Sequence, residues 1–107
     1  MFTSKIKTTA GLVGVSVAFA RSREAALDQM RASTPSLVIF DLNGGRMDPL
    51  GTVGAMKADP ALAAIPTLGF VSHVQADLID AARKAGIGDV LARSAFTARL
   101  ADILTAG

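Results

Sequence analysis

The run Leu37-Val38-Ile39-Phe40-Asp41-Leu42-Asn43 constrains this chain more than any other stretch. Four consecutive apolar residues lead straight into an acid, and Gly44-Gly45-Arg46 follows. An apolar run this short, bounded by turn residues, suits a strand covered on both faces, as in a parallel sheet. A charge at the centre of such a strand would be costly to bury, so Asp41 belongs at its carboxyl end. In open α/β sheets that edge is where ligands and chemistry gather. Leu37, Ile39 and Phe40 are expected to be largely buried, and Asp41 at least partly accessible.

The rest of the chain alternates around this strand. Phe2, Ile6 and Ala10, spaced four apart, predict a short helix over 3–12, with Gly11 and Gly14 weakening its end. Val15 to Ala20 reads as a strand. Ser22 can cap a helix whose first turn carries Glu24 and whose buried stripe is Ala26, Leu27 and Met30, with Pro35 marking its stop. Asp48-Pro49 looks like an N-cap followed by proline at the first helical position, and Leu50, Val53 and Lys57 continue that helix to Asp59-Pro60. Ile65 to Val71 is the next strand, entered through Pro66 and closed by Ser72. Leu78, Ile79, Ala82 and Ala85 give a helix ending at Gly86, where a left-handed cap is expected. Asp89 to Ala92 is a short strand, and Leu100, Ile103 and Leu104 mark the last helix. Strand and helix alternating with short connections argue for a parallel sheet with right-handed crossovers.

Composition narrows the function. With 107 residues, the chain is expected to form one domain, residues 1–107, around a single core. Half the residues are hydrophobic, which argues against disorder. The net charge is only +2, the basic residues are scattered, and the aromatics are five Phe with no Trp or Tyr. Nucleic acid is therefore not an expected partner. The absence of cysteine excludes disulfides, thiol catalysis and zinc–cysteine sites, and fits a reducing compartment. Lys5 and Lys7, the apolar Ala10–Val15 and then Ala18-Phe19-Ala20 imitate a secretory leader. Cleavage there would discard a segment the fold uses, so a cytoplasmic chain is expected. No apolar stretch approaches the roughly 20 residues of a membrane span, and no membrane partner is expected.

Three of the strands end in polar groups, Asp41, Ser72 and Arg93, which a parallel sheet places on one edge. An aspartate can accept a phosphoryl group, a hydroxyl can bond a phosphoryl oxygen, and a cation can neutralise the developing charge. Each residue alone is also explained as an ordinary turn or cap at a strand end.

At these residues the chain resembles the bacterial response-regulator receiver domain, over most of its length. Asp41-Leu42-Asn43 followed by Met47-Asp48 resembles the phospho-acceptor loop. Lys57-Ala58-Asp59-Pro60 and Ile65-Pro66-Thr67 are similar to the link between that family's third helix and fourth strand. Ser72 falls at its switch hydroxyl, and Gly86 with Asp89-Val90-Leu91 resembles the lead into its fifth strand. The resemblance implies Asp41 as phospho-acceptor, Ser72 and Arg93 as phosphate contacts, and a magnesium ion held by Asp41 and the Asn43 carbonyl. It also implies a signalling face over residues 73–104.

The sequence departs from that pattern at defined points. The family's first strand, with its pair of magnesium-binding acids, has no counterpart, and no acid precedes Glu24. Arg93 stands where the family has lysine and Ser94 where it has proline. Arginine keeps the charge but presents a planar, bulkier group. Val90 occupies an aromatic switch position, Gly44-Gly45 replaces Met-Pro, and Pro49 replaces glycine.

Two other classes share parts of the pattern. Phe40-Asp41-Leu42-Asn43-Gly44 resembles the opening motif of haloacid-dehalogenase-type phosphatases, but Asn43 cannot serve as that family's acid/base. A flavodoxin-like binder of a phosphate-bearing cofactor should carry a glycine-rich loop after its first strand, and none is visible. His73, the lone histidine, reads as a surface residue.

The expected fold is α/β, a flavodoxin-like, receiver-like parallel sheet with helices on both faces and without the usual first strand. The expected function is that of a signalling and interaction module, not an enzyme acting on metabolites. Its partner is a protein, a kinase or an effector. One version is a pseudo-receiver working without phosphorylation; the alternative is a functional receiver phosphorylated at Asp41. A missing central strand would leave unpaired backbone groups, which a shifted Val15–Ala20 strand or a second copy could satisfy, and a homodimer is the expectation.

Overall fold

The computed structural model describes residues 2–20, 22–43, 48–72 and 75–106. Nine elements follow in chain order: α1 (Phe2–Val13), α2 (Arg23–Ala32), β1 (Val38–Asp41), α3 (Pro49–Ala58), β2 (Thr67–Val71), α4 (Ala76–Ala85), β3 (Asp89–Ala92), α5 (Arg93–Ala98) and α6 (Leu100–Ala106). The strands form one parallel sheet in the order β1-β2-β3. The expected parallel α/β arrangement is present, with helices against both faces.

Period-two alternation sends each strand's side chains into two separate cores. On one face Phe40, Val71 and Val90 pack with Leu27 and Met30 of α2, Val53 and Met56 of α3, and Ala82 of α4. On the other face Leu68 and Phe70 meet Ile6 and Ala10 of α1, Phe96 of α5, and Leu100 and Leu104 of α6. The Phe70 and Phe96 rings stack there, with centroids 4.6 Å apart. Gly69 lies on β2 under Leu42, whose side chain would stand only 3.0 Å from a Cβ at that position. A side chain at residue 69 would therefore require Leu42 to shift by a few tenths of an ångström over the central strand.

The helix ends follow the capping chemistry in the sequence. Ser22 Oγ accepts from the Ala25 N–H at 3.1 Å, and Glu24 stands in the first turn of α2. Asp48 caps α3 by accepting from the Gly51 N–H, with Pro49 at the helix start. A Cβ at Gly51 would collide with that carboxylate. Gly86 closes α4 at φ +117°, and the sequence placed a left-handed cap there.

Three expectations need correction, and one helix was not expected. Val15–Ala20 is not a strand: it has no regular secondary structure and makes no ladder with the sheet, which has three strands among the described residues. The Val15 N–H bonds back to Ala10 O, and the Phe19 carbonyl accepts from Gln29 Nε2 at 3.3 Å. The segment is thus tied to α1 and α2 instead of a neighbouring strand. Its alternation survives, with Val15, Val17 and Phe19 half-buried against the α1–α6 core and Ser16 and Ala18 exposed.

The strand expected to begin at Ile65 begins at Thr67, because Pro66 has no N–H to donate. Its carbonyl accepts the Val38 N–H at 3.0 Å, while the Ile65 N–H turns back to Leu62 O. The last helix, marked by Leu100, Ile103 and Leu104, is α6, and the short α5 that precedes it across Arg99 was not expected. Lastly, Phe40 is buried as expected, but Leu37 and Ile39 are only half-buried. A strand at the edge of a sheet has cover on one side only.

Candidate functional site

Asp41, Ser72 and Arg93 come out at one edge of the sheet, as their positions after three apolar strands require. Asp41 is the last residue of β1, Ser72 follows β2 directly, and Arg93 follows β3 and opens α5. All three are exposed. The register pairs Asp41 with Phe70 and Val71 with Ala92, so Ser72 and Arg93 stand level while Asp41 sits two residues lower. With strands about 4.8 Å apart, this opens a shallow polar ledge across the carboxyl ends of the sheet.

The ledge is organised by Asn43. Its backbone N–H donates to Asp41 Oδ1 at 3.0 Å, which closes a short side-chain turn that holds the carboxylate. Its own Oδ1 accepts the Ser72 N–H at 2.6 Å. One residue therefore holds the acid at the end of β1 through its backbone N–H and ties that loop to the loop after β2 through its side chain. The sequence singled out Asn43 only for its backbone carbonyl, and the side-chain role was not anticipated.

Arg93 occupies the first position of a helix, where the macrodipole disfavours a cation. Helix stability thus gives no reason for a positive charge there, and its place on the ledge is an electrostatic feature of the edge.

Arg23 also went unremarked in the sequence. Its Nη1 lies 3.4 Å from Asp48 Oδ2, with both side chains about half-exposed. An exposed pair of this kind is worth about 0–1 kcal/mol. Its importance lies elsewhere: the Asp48 carboxylate is shared between the α3 cap and Arg23, while its side chain stays 58% exposed. The topology carried the signal, because α2 and α3 both begin on the carboxyl side of the sheet. Asp48 itself has a left-handed backbone, φ 45°.

A divalent cation would have to draw on the Asp41 carboxylate and the oxygens of Asn43. Among the described residues no three acids or histidines gather as a metal cluster. Magnesium is usually held by one or two carboxylates with several waters. The donor set supplies one carboxylate, and that one already accepts a hydrogen bond from Asn43. Among the described residues it falls short of a dedicated cluster of acids, and Asp41 with the Asn43 oxygens would be the residues to hold such an ion. Gly44, Gly45, Met47 and His73 lie outside the described residues.

No family model matches the sequence, and no curated protein matches it. Solved structures do. The phosphorylated cyanobacterial phytochrome response regulator RcpA is 22% identical, with 97% of this chain and 83% of that chain covered and a TM-score of 0.74. The receiver domain of NarL from Mycobacterium tuberculosis is 19% identical over 98% of this chain and 85% of that one, at a TM-score of 0.81. A response regulator solved in its Mn2+-bound form is 16% identical over 94% and 82%, at 0.76. The three parallel strands with their surrounding helices are thus the flavodoxin-like fold of response-regulator receiver domains. No helix of the described residues is long and apolar enough to cross a membrane.

Proposed function

We propose that the chain is a signalling module that acts by binding other proteins, on a receiver-like scaffold, with little or no phosphorylation of Asp41. The observation that carries this reading is the isolation of the Asp41 carboxylate. The next carboxylate along the chain, Asp48, is engaged by the α3 N-terminus and by Arg23. A phosphoryl donor approaching Asp41 is itself anionic, and two negative groups repel unless cations screen them. Arg93 adds one positive charge at the same edge of the sheet, and a guanidinium suits holding an anion more than activating a nucleophile.

In this reading the ledge presents a fixed pattern to a partner: a carboxylate at Asp41, a hydroxyl at Ser72 and a guanidinium at Arg93. The hydrogen bonds through Asn43 keep the first two in register. The partner is a protein in the cytoplasm, a kinase or an effector, and self-association into a homodimer is one form of such contact. Nucleic acid and membrane are not its targets, and it does not turn over metabolites.

The test is incubation with magnesium and a small phosphodonor, followed by intact-mass measurement. The expected spectrum is that of the unmodified chain. Stoichiometric phosphorylation that vanishes in Asp41→Asn would establish the second reading, a functional receiver phosphorylated at Asp41. The exposure of Asp41, Ser72 and Arg93 on a single edge is what favours that alternative.

A further inference from the structure

The geometry points to an intermolecular strand exchange: the segment Val15–Ala20 of a second copy of this chain pairs as a strand with the open edge of β1, and the exchange is reciprocal. This builds on the protein-contact reading above and names its surface and its partner.

The open edge follows from the ladder. The Val38 N–H donates to Pro66 O and the Leu42 N–H to Phe70 O, both at 3.0 Å. In a strand, alternate residues direct their backbone groups to opposite sides. Val38, Phe40 and Leu42 therefore face β2, and Ile39 and Asp41 aim their N–H and C=O groups away from it. Among the described residues no strand lies on that side. The apolar side chains beside this edge, Leu37, Val38 and Ile39, are only half-buried. Such an edge is a template for another strand, and natural proteins blunt it with charge, proline or a bulge.

The two edges of this sheet differ in that protection. β3 begins with the exposed Asp89 and runs directly into Arg93 of α5, with charge at both ends. β1 offers Val38-Ile39-Phe40 with its one charge, Asp41, at the end.

A second copy is the matching occupant because each chain also carries a segment of strand-like alternation that makes no ladder among the described residues. Val15–Ala20 has no charge and no proline, and it alternates Val15, Val17 and Phe19 with the small Ser16, Ala18 and Ala20. That is a strand pattern, half-covered on one face. Within its own chain the segment is held by α1 and α2 and makes no ladder with β1. One open edge and one unpaired segment per copy let two copies satisfy each other about a two-fold axis, closing the assembly at a dimer.

Three measurements test this. Light scattering behind size exclusion should give twice the 11.0 kDa chain mass. Ile39→Pro removes a donor that faces away from β2 and leaves the β1–β2 ladder intact, so it should raise the dimer dissociation constant by at least about tenfold. Val17→Pro and Ala18→Pro remove donors on opposite sides of the segment, so one of the two should weaken the dimer and the other should not. Because the chain has no cysteine, single-cysteine copies give a clean crosslink that is independent of these prolines. Ile39→Cys mixed with Val15→Cys, Val17→Cys or Phe19→Cys should form the mixed disulfide in preference to either self-pair.

A monomer at all concentrations would overturn the inference. So would an Ile39→Cys self-disulfide in preference to the mixed one, which would mean two β1 edges paired directly, or growth into open-ended polymers. None of these outcomes alters the phosphodonor assay, so a chain that is monomeric but resists phosphorylation would sink this inference alone.

Discussion

β1 and β2 are parallel neighbours in one sheet, and their burial runs against their composition. β2 contains the polar Thr67 and the strand-weakening Gly69, yet all five of its positions are buried. β1 contains Val38, Ile39 and Phe40, yet only Phe40 is buried and Asp41 is exposed. The difference is what lies alongside: β2 has a strand on each side and helices on both faces, and β1 has a strand on one side. Burial is a property of the neighbourhood, and apolar residues only make it worth having. The strand poorer in apolar residues is therefore the one whose loss the fold should tolerate least.

That ordering can be broken by substitution. Phe96→Ala, which removes the fully buried ring stacked on Phe70 of β2, should cost about 3–5 kcal/mol, read as a shift in the urea midpoint. Thr67→Val tests whether β2 also depends on its polar residue. The Gly88 N–H donates to Thr67 Oγ1 at 2.9 Å, and orphaning that donor should cost about 1–3 kcal/mol despite the added hydrophobicity. Ile39→Ala on β1 should cost less than the roughly 2–5 kcal/mol of a fully buried isoleucine. If β1 is covered by a second copy, the cost will grow with protein concentration, and a concentration-independent value equal to that of a buried site would erase the contrast. Leu12, 82% exposed on α1, marks the lower bound: Leu12→Ser should change stability by less than about 0.5 kcal/mol.

The sequence was informative where local chemistry and tertiary demand agree. Ser22, Asp48-Pro49 and Gly86 mark helix boundaries through their own hydrogen bonds or backbone preferences, and the structure uses all three in that way. It misled where identity depends on a partner. Val15–Ala20 has the composition and period of a strand, but a strand exists only through a ladder, and no residue within the segment encodes the neighbour it lacks. The short α5 was not legible because its six residues bury only Phe96 and give too little periodicity to read. On the ledge, Asp41, Ser72 and Arg93 could be placed because each ends an apolar run. Asn43 and Arg23 could not, since their contacts join loops more than twenty residues apart in sequence.

The two cores also differ in how far along the chain their parts must travel. The one under α2, α3 and α4 assembles from residues that follow one another, from Leu27 to Val90. The other joins Ile6 and Ala10 of α1 to Leu100 and Leu104 of α6, with α1 packed on α6. Closing so long a loop carries an entropic cost that must be met before its contacts return anything. Folding should therefore nucleate on the α2–α4 side and add α1 last, so that core substitutions in α1 speed unfolding while leaving the folding rate nearly unchanged.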